Sequence, residues 1–195
     1  MGRIVDERRH AERREAILHE AYRQFAVAGY DRTSTASICR GAGISSGTFF
    51  HYFPAKLDVL VGILSAGLQQ TRQALSRIET HSIGLPAVLA YAGGVQAEMS
   101  DPHFGGFVHA VAGVELLPEV ATVLEDEASL IRAFLVRHLS DASARSEIRG
   151  DASPVHLAMW TQWLLDGAAQ HATGTTSPSA EDDVVAAVRA LLSPP

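Results

Sequence analysis

Thr33-Ser-Thr-Ala-Ser-Ile-Cys-Arg-Gly-Ala-Gly-Ile-Ser-Ser-Gly-Thr-Phe-Phe-His-Tyr-Phe-Pro-Ala-Lys56 reads as two short helices meeting at Gly43. Ser34 is a good N-cap for the first, in which Ile38 and Ala42 sit four apart. Gly43 breaks that helix, and Ser45 caps a second one running to about Tyr52. Pro54 forbids its smooth continuation and favours a fresh start near Ala55. Two helices crossing through a tight turn need a small side chain at the crossing, a glycine for the unusual backbone, and an apolar residue just after it to lock the second helix down. Ala42, Gly43 and Ile44 supply these in order. On the second helix Phe49 and Phe53 are four apart and point inward, which leaves Ser46, Gly47, Thr48, Phe50, His51 and Tyr52 largely outward. A solvated face normally carries Lys, Glu and Gln. Hydroxyls, a glycine that permits close approach, an imidazole and aromatics instead suit base edges and phosphates. A short buried helix with every aromatic in the core is the competing reading.

Upstream, Arg8 to Gly29 contains no proline and sets Ile17, Ala21 and Phe25 at four-residue intervals, with Leu18 and Tyr22 alongside. That is the apolar stripe of an amphipathic helix, and Gly29 is its natural stop. Downstream of Lys56, Leu57, Leu60, Val61, Leu64 and Leu68 continue at helical spacing, so a long helix leaves the small module and links it mechanically to the rest. Further helices are expected at about 85–100, 103–114, 118–140, 154–172 and 181–192. Gly84, Asp101-Pro102, Pro118, a polar stretch around 141–153 and a polar loop from Thr173 to Ala180 separate them. Neither a strand-like alternation of useful length nor an internal repeat occurs. The predicted fold is all-α with about nine helices: an N-terminal three-helix, helix-turn-helix domain over 1–56, its two-helix motif at about 34–53, and a C-terminal helical domain over 57–195.

With 195 residues and 47% hydrophobic content the chain can bury a substantial core. No apolar run approaches the ~20 residues of a membrane span, and Met1 to Asp6 lacks the apolar centre of a signal peptide, so a soluble cytoplasmic protein is expected. The single cysteine, Cys39, excludes an intramolecular disulfide framework and any Cys-rich zinc site. A net charge of −6 argues superficially against a nucleic-acid partner, yet it conceals an asymmetry. Residues 1–56 hold nine of the sixteen Lys+Arg and six of the twenty-two Asp+Glu, whereas the remainder carries seven against sixteen. A basic first quarter joined to an acidic body fits a protein that meets an anionic polymer through its N-terminus.

Gly29-Tyr30 and Thr33-Ser34 ahead of Ile38, then Ala42-Gly43-Ile44-Ser45, Gly47-Thr48, His51-Tyr52-Phe53-Pro54 and Lys56, resemble the DNA-binding signature of TetR-family repressors. The resemblance covers about sixty residues, from the first helix into the start of the fourth; the remainder agrees with the family only in being helical. It implies a homodimer that binds double-stranded operator DNA and senses a small-molecule effector through its C-terminal helices. Thr35 is then expected to meet a phosphate with the amides at its helix start, Ser45 to cap the recognition helix, and Ser46, Gly47, Thr48 and His51 to approach base edges. Phe50 suits a thymine methyl, Tyr52 the DNA backbone, and Lys56, the only lysine, a phosphate at the start of helix four. Family members often carry Lys where this chain has Ser46 and Tyr where it has Phe50. Arg3, Arg8, Arg9, Arg13 and Arg14 are candidates to supply the missing cation, unless Glu12 and Glu15 make theirs an ordinary charged face. Cys39 stands where the family places a small residue and is read as packing rather than as a redox sensor.

A palindromic operator is read by two recognition helices about one turn of DNA apart, near 34 Å, so a chain with one such helix is expected to dimerise. Its seam is expected on the last two helices: Trp160, Trp163, Leu164, Gly167 and Ala168 on one, Val184, Val188 and Leu191 on the other, with burial inside one monomer as the alternative. For the effector, His103-Phe104-Gly-Gly-Phe107-Val-His109 is the unusual segment, aromatics beside glycines that are able to line a cavity or simply to pack. His103 and His109 are six apart, off the spacing of paired helical ligands, so no metal site is read there. No cofactor is implied, and neither a zinc-protease, nucleophile-elbow, P-loop nor dinucleotide motif occurs, so no catalytic residue is assigned. The competing functions are an all-α enzyme and a ligand-independent DNA-binding or adaptor protein.

Overall fold

The computed structural model describes residues 2–172 and 183–194. Among them, every regular element is an α-helix: α1 (Gly2–Ala28), α2 (Thr35–Gly41), α3 (Ser46–Tyr52), α4 (Lys56–His81), α5 (Leu85–Met99), α6 (Phe104–Ala112), α7 (Pro118–Ala144), α8 (Pro154–His171) and α9 (Asp183–Leu192). The polar loop read at Thr173 to Ala180 lies outside the described residues, as do positions 181–182 of the last expected helix.

Helix starts and stops follow local chemistry. α1 ends where Gly29 adopts φ +82°, a left-handed conformation that only glycine takes without strain. It begins at Gly2, earlier than the Arg8 start that the apolar stripe indicates, with no proline between the two; Arg8 Nε meets Glu12 Oε1 at 2.8 Å on the exposed face. α7 runs four residues past the expected 140 into a polar stretch. There Ala142 is fully buried, and the Ser140 hydroxyl donates to the Val136 carbonyl at 2.7 Å, so two serines in that turn do not interrupt it.

The buried side chains form two cores. The first joins Ile17, Ala21 and Phe25 of α1 to Ile38, Phe49, Val59 and Leu60, and takes in Ala110 and Val111 of α6 and Val120 of α7. The second collects Val88 and Ala92 of α5, Phe134, Leu135 and Leu139 of α7, Leu157 and Leu165 of α8, and Val188 and Leu192 of α9. α4 belongs to both, through Val59, Leu60 and Leu64 at one end and Leu75 at the other. A division at 56/57 therefore marks the start of α4, while the apolar division runs across α4 and leaves α6 with the first core. α9 packs on α5 and α8, and its Val184 and Val188 are 6% and 0% exposed inside this core. Those two side chains are occupied by their own chain, the alternative of burial inside one monomer.

Candidate nucleic-acid interface

α2 is fastened to α1 by buried polar groups that no motif announces. Glu20, 8% exposed, accepts from Arg23 Nη2 at 2.8 Å and Gln24 Nε2 at 2.6 Å. Gln24 in turn donates to the Ser37 carbonyl at 3.0 Å and accepts from the Ser37 hydroxyl at 2.6 Å. Ser37 and the N-cap Ser34 exchange hydrogen bonds, closing a capping box. The Glu20 carboxyl is held below its ordinary range, chiefly by the Arg23 hydrogen bond. Gly41 lies against Glu20, and a Cβ there would overlap the carboxylate.

The turn is built as the residue types demand. Gly43 has φ +65°, and the Ile44 amide returns to the Cys39 carbonyl at 3.0 Å. Ala42 and Ile44 pack against the first core, and Cys39 is 6% exposed within it, a packing residue. Ser45 caps α3 by accepting from the Thr48 amide at 3.1 Å, and its hydroxyl lies 2.9 Å from that of Thr48. Phe49 and Phe53 are 0% and 3% exposed and hold the helix from behind. Ser46, Gly47, Phe50 and His51 are exposed; Thr48 and Tyr52 are half-buried. Thr35 is the first residue of α2, half-buried beside its cap.

Tertiary packing decides where two groups of cations point. Lys56 does not present a free ammonium: Nζ donates to the carbonyls of Tyr30 at 2.7 Å and Thr33 at 2.9 Å, and lies 4.1 Å from the centre of the Tyr30 ring. Burial lowers its pKa, with Asp31 opposing. The loop between α1 and α2 curls around the start of α4 and takes the cation, a tertiary arrangement that spacing does not encode. The second group of cations is the α1 arginines. Arg8 pairs with Glu12 as an ordinary helix-face pair, and the Arg14 guanidinium lies 5.3 Å from the centre of the Phe53 ring. Arg9 and Arg13, by contrast, join His10, Gly47, Thr48, His51 and Tyr52 around a cleft of about 870 Å³ between α1 and α3.

His103, Phe104, Phe107 and His109 do not gather around a pocket in the C-terminal core. Phe107 packs on Tyr22 of α1 with ring centroids 4.7 Å apart, and His103 approaches the same ring at 6.3 Å. The Tyr22 hydroxyl donates to Asp101 at 3.1 Å, and burial followed by the Asp101 charge raises its pKa. A Cβ on Gly106 would overlap the Ala26 carbonyl oxygen, so the glycine lets α6 sit directly on the α1 backbone. His109 lines a groove of about 610 Å³ at this junction, and Phe104 is half-buried at the start of α6. The segment fastens α6 to α1, the packing alternative that its residues leave open. The polar groups of the C-terminal half lie elsewhere. Thr71 of α4 donates to Glu127 of α7 at 2.6 Å, and the phenol of Tyr91 is raised by burial and then by the charges of Glu127, Glu98 and Asp166. On α8, Trp163 is 61% exposed, a Cβ on Gly167 one turn later would meet open space, and Trp160, Leu164 and Ala168 pack partly on the second core. Leu191 of α9 is half-buried. No three His, Cys, Asp or Glu among the described residues are placed to hold a metal ion.

A two-turn helix capped by serine, backed by two phenylalanines, offset from its predecessor by a left-handed glycine and open on its polar side defines a helix-turn-helix regulator that binds DNA. Residues 17–63 match the model of bacterial regulatory proteins of the tetR family. Over 159 residues the chain is 30% identical to the HTH-type transcriptional regulator UidR of Escherichia coli strain K12, covering 78% of this chain and 76% of that one. It superposes on Salmonella enterica GusR with TM-score 0.68 at 25% identity, over 93% of this chain and 95% of the other. A TetR-family regulator from Agrobacterium tumefaciens shares the fold with TM-score 0.81 at 19% identity, over 94% and 98%. The chain belongs to the TetR family of transcriptional regulators, and its relatives are regulators rather than enzymes.

Proposed function

We propose that this protein is a repressor that binds a palindromic operator as a homodimer in the cytoplasm and leaves it when a small-molecule effector occupies the C-terminal half. The observation that carries the proposal is the open face of α3: Ser46, Gly47, Phe50 and His51 are exposed while Phe49 and Phe53 lock the opposite face. Ser46, Gly47, Thr48 and His51 read base edges, Phe50 (52% exposed) packs on a thymine methyl, and Thr35 with Tyr52 meets the backbone. Arg9 and Arg13 supply the cations that Lys56 cannot fully spare.

Functionally, 1–56 is the DNA-binding unit and 57–195 the sensing and pairing unit. Pairing is assigned to α8 and α9: Trp163 and Gly167 stand one turn apart on an exposed face, with Leu191 on the neighbouring helix. Support for an effector site comes from Thr71, Tyr91, Glu98, Glu127 and Asp166, and from Gln96 Oε1 and Thr161 Oγ1, which are buried without a hydrogen-bond partner in the described structure. An effector there shifts α4, which spans both cores, and α6, which is fastened to α1, and so changes the separation of the two recognition helices. A coupling of about 1–3 kcal/mol suffices if the effector prefers the released conformation. Crosslinking the two α4 helices at one spacing should abolish effector response; an unchanged response rejects this route.

A mobility-shift titration with the DNA upstream of the protein's own gene tests the whole reading. A shift with two chains per duplex is the expected result, with His51→Ala and Thr48→Ala relaxing sequence preference. Absence of any shift, or losses that are blind to sequence, would overturn it.

A further inference from the structure

α3 is only seven residues long, and its two inward phenylalanines fix one face without steering the side chains on the other. His10 provides what they do not. From α1 its ring meets Tyr52 at 4.4 Å between centroids, tilted by 37°, and His51 at 6.0 Å, nearly edge-on at 83°. His51 and Tyr52 are themselves edge-to-face at 5.4 Å and 85°. Three rings thus interlock across the mouth of the α1–α3 cleft, and each limits the rotamers of the other two. Tyr52 is half-buried in this arrangement, whereas His51 remains exposed at its outer edge. Arg9 and Arg13, one residue before and three after His10, line the same cleft with guanidinium groups suited to phosphates, which leaves the imidazole of His10 a steering part.

We propose that His10 is a positioning residue for base readout: through Tyr52 and by its own edge contact it fixes the ring of His51, so that a residue of α1 that does not meet a base sets how sharply α3 discriminates sequence. The inference rests on the reading of α3 as the recognition helix. A side chain held in one orientation loses little freedom on docking, and the gain is specific to the sequence whose edge it matches. A phosphate ligand, in contrast, strengthens all DNA alike and steepens the salt dependence.

The test uses the full-length protein with a duplex that the wild type selects from random-sequence DNA, and a scrambled duplex of the same composition. His10→Ala should lower the ratio of the two affinities roughly 3- to 10-fold, leave binding to scrambled DNA and its salt slope unchanged, and be rescued by His10→Phe, which keeps a ring against Tyr52. In a double-mutant cycle, His10→Ala should cost little further discrimination once His51 is alanine. Additive losses, equal weakening on both duplexes, a salt slope reduced by about one, or no rescue by phenylalanine would each overturn the positioning role. Melting temperatures of all variants, expected to match the wild type because His10 is exposed, exclude a folding defect as the cause. If the wild type selects no sequence, the recognition-helix reading falls and this inference with it; selection with an additive cycle rejects His10 alone.

Discussion

The ammonium of Lys56, between the carbonyls of Tyr30 and Thr33 and over the Tyr30 ring, closes the loop that joins α1 to α2 onto the start of α4. A hydrogen bond from a charged donor contributes about 1.5–3 kcal/mol, more than an exposed ion pair, so Lys56→Met should destabilise the fold by about 1–3 kcal/mol in urea unfolding. Its DNA affinity should fall through a loosened α2, with the salt slope nearly intact. A slope lower by one full phosphate, in a protein of normal stability, would return the ammonium to the DNA. The residues of the turn were legible because their work is local. Gly43 needs only its own φ, Ser45 only the amide three positions on, and Phe49 and Phe53 only helical spacing. Lys56, Gln24 and His10 were not legible in that way, since their partners lie on other elements and no spacing rule couples 56 to 30, 24 to 37 or 10 to 52.

Two helices carry the connection between the DNA-reading module and the rest: α4 by continuity, α6 by close packing on α1. At the α6 contact, Gly106→Ala places a methyl into the Ala26 backbone carbonyl, so α6 must move away. The expected cost is about 1–3 kcal/mol, read as a lower melting temperature, with altered operator affinity even in the absence of effector. A variant as stable and as tight as wild type would show that the junction bears no strain. Asp101 gives the same junction a pH signature. Its carboxyl is held below the usual carboxylate range, first by the His103 amide at 2.8 Å and also by the Tyr22 hydroxyl, against partial desolvation. A depressed folded pKa means that the contribution is complete above about pH 4 and fades as the pH drops through the lower folded value. The side chain is 45% exposed, so water screens it and less than about 1 kcal/mol is at stake. The stability gap between wild type and Asp101→Asn should accordingly narrow between neutral pH and pH 3, and a gap that widens would contradict the assignment. Glycines beside phenylalanines at 103–109 suit either an empty space or a close helix contact, and no spacing rule chooses between them. Only the position of α1, set by the tertiary fold, decides for contact.

For the molecule as a whole, the charge asymmetry, the all-α class and the position of the motif are recoverable from sequence, since each depends on composition or on periodicity alone. How the chain divides is not recoverable that way, because the first core recruits Ala110, Val111 and Val120 from far along the chain. The seam of the proposed dimer is likewise divided by packing. The apolar stripe of α9 is spent inside the monomer at Val184 and Val188, and what remains open is Trp163 beside Gly167. Trp163→Arg should convert the dimer to monomer in sedimentation velocity and weaken operator binding, while thermal unfolding at low protein concentration stays near wild type. A persistent dimer would relocate the interface. The central claim is that α3 enters the major groove once per half-site. The most direct measurement is interference by 7-deazapurine, which removes the N7 acceptor from the major-groove edge of adenine or guanine, in a duplex that the protein binds. The expected result is two symmetric clusters of interfering positions about 10 base pairs apart, or a multiple of that spacing, lost selectively in His51→Ala. Full binding with every N7 removed would contradict the account.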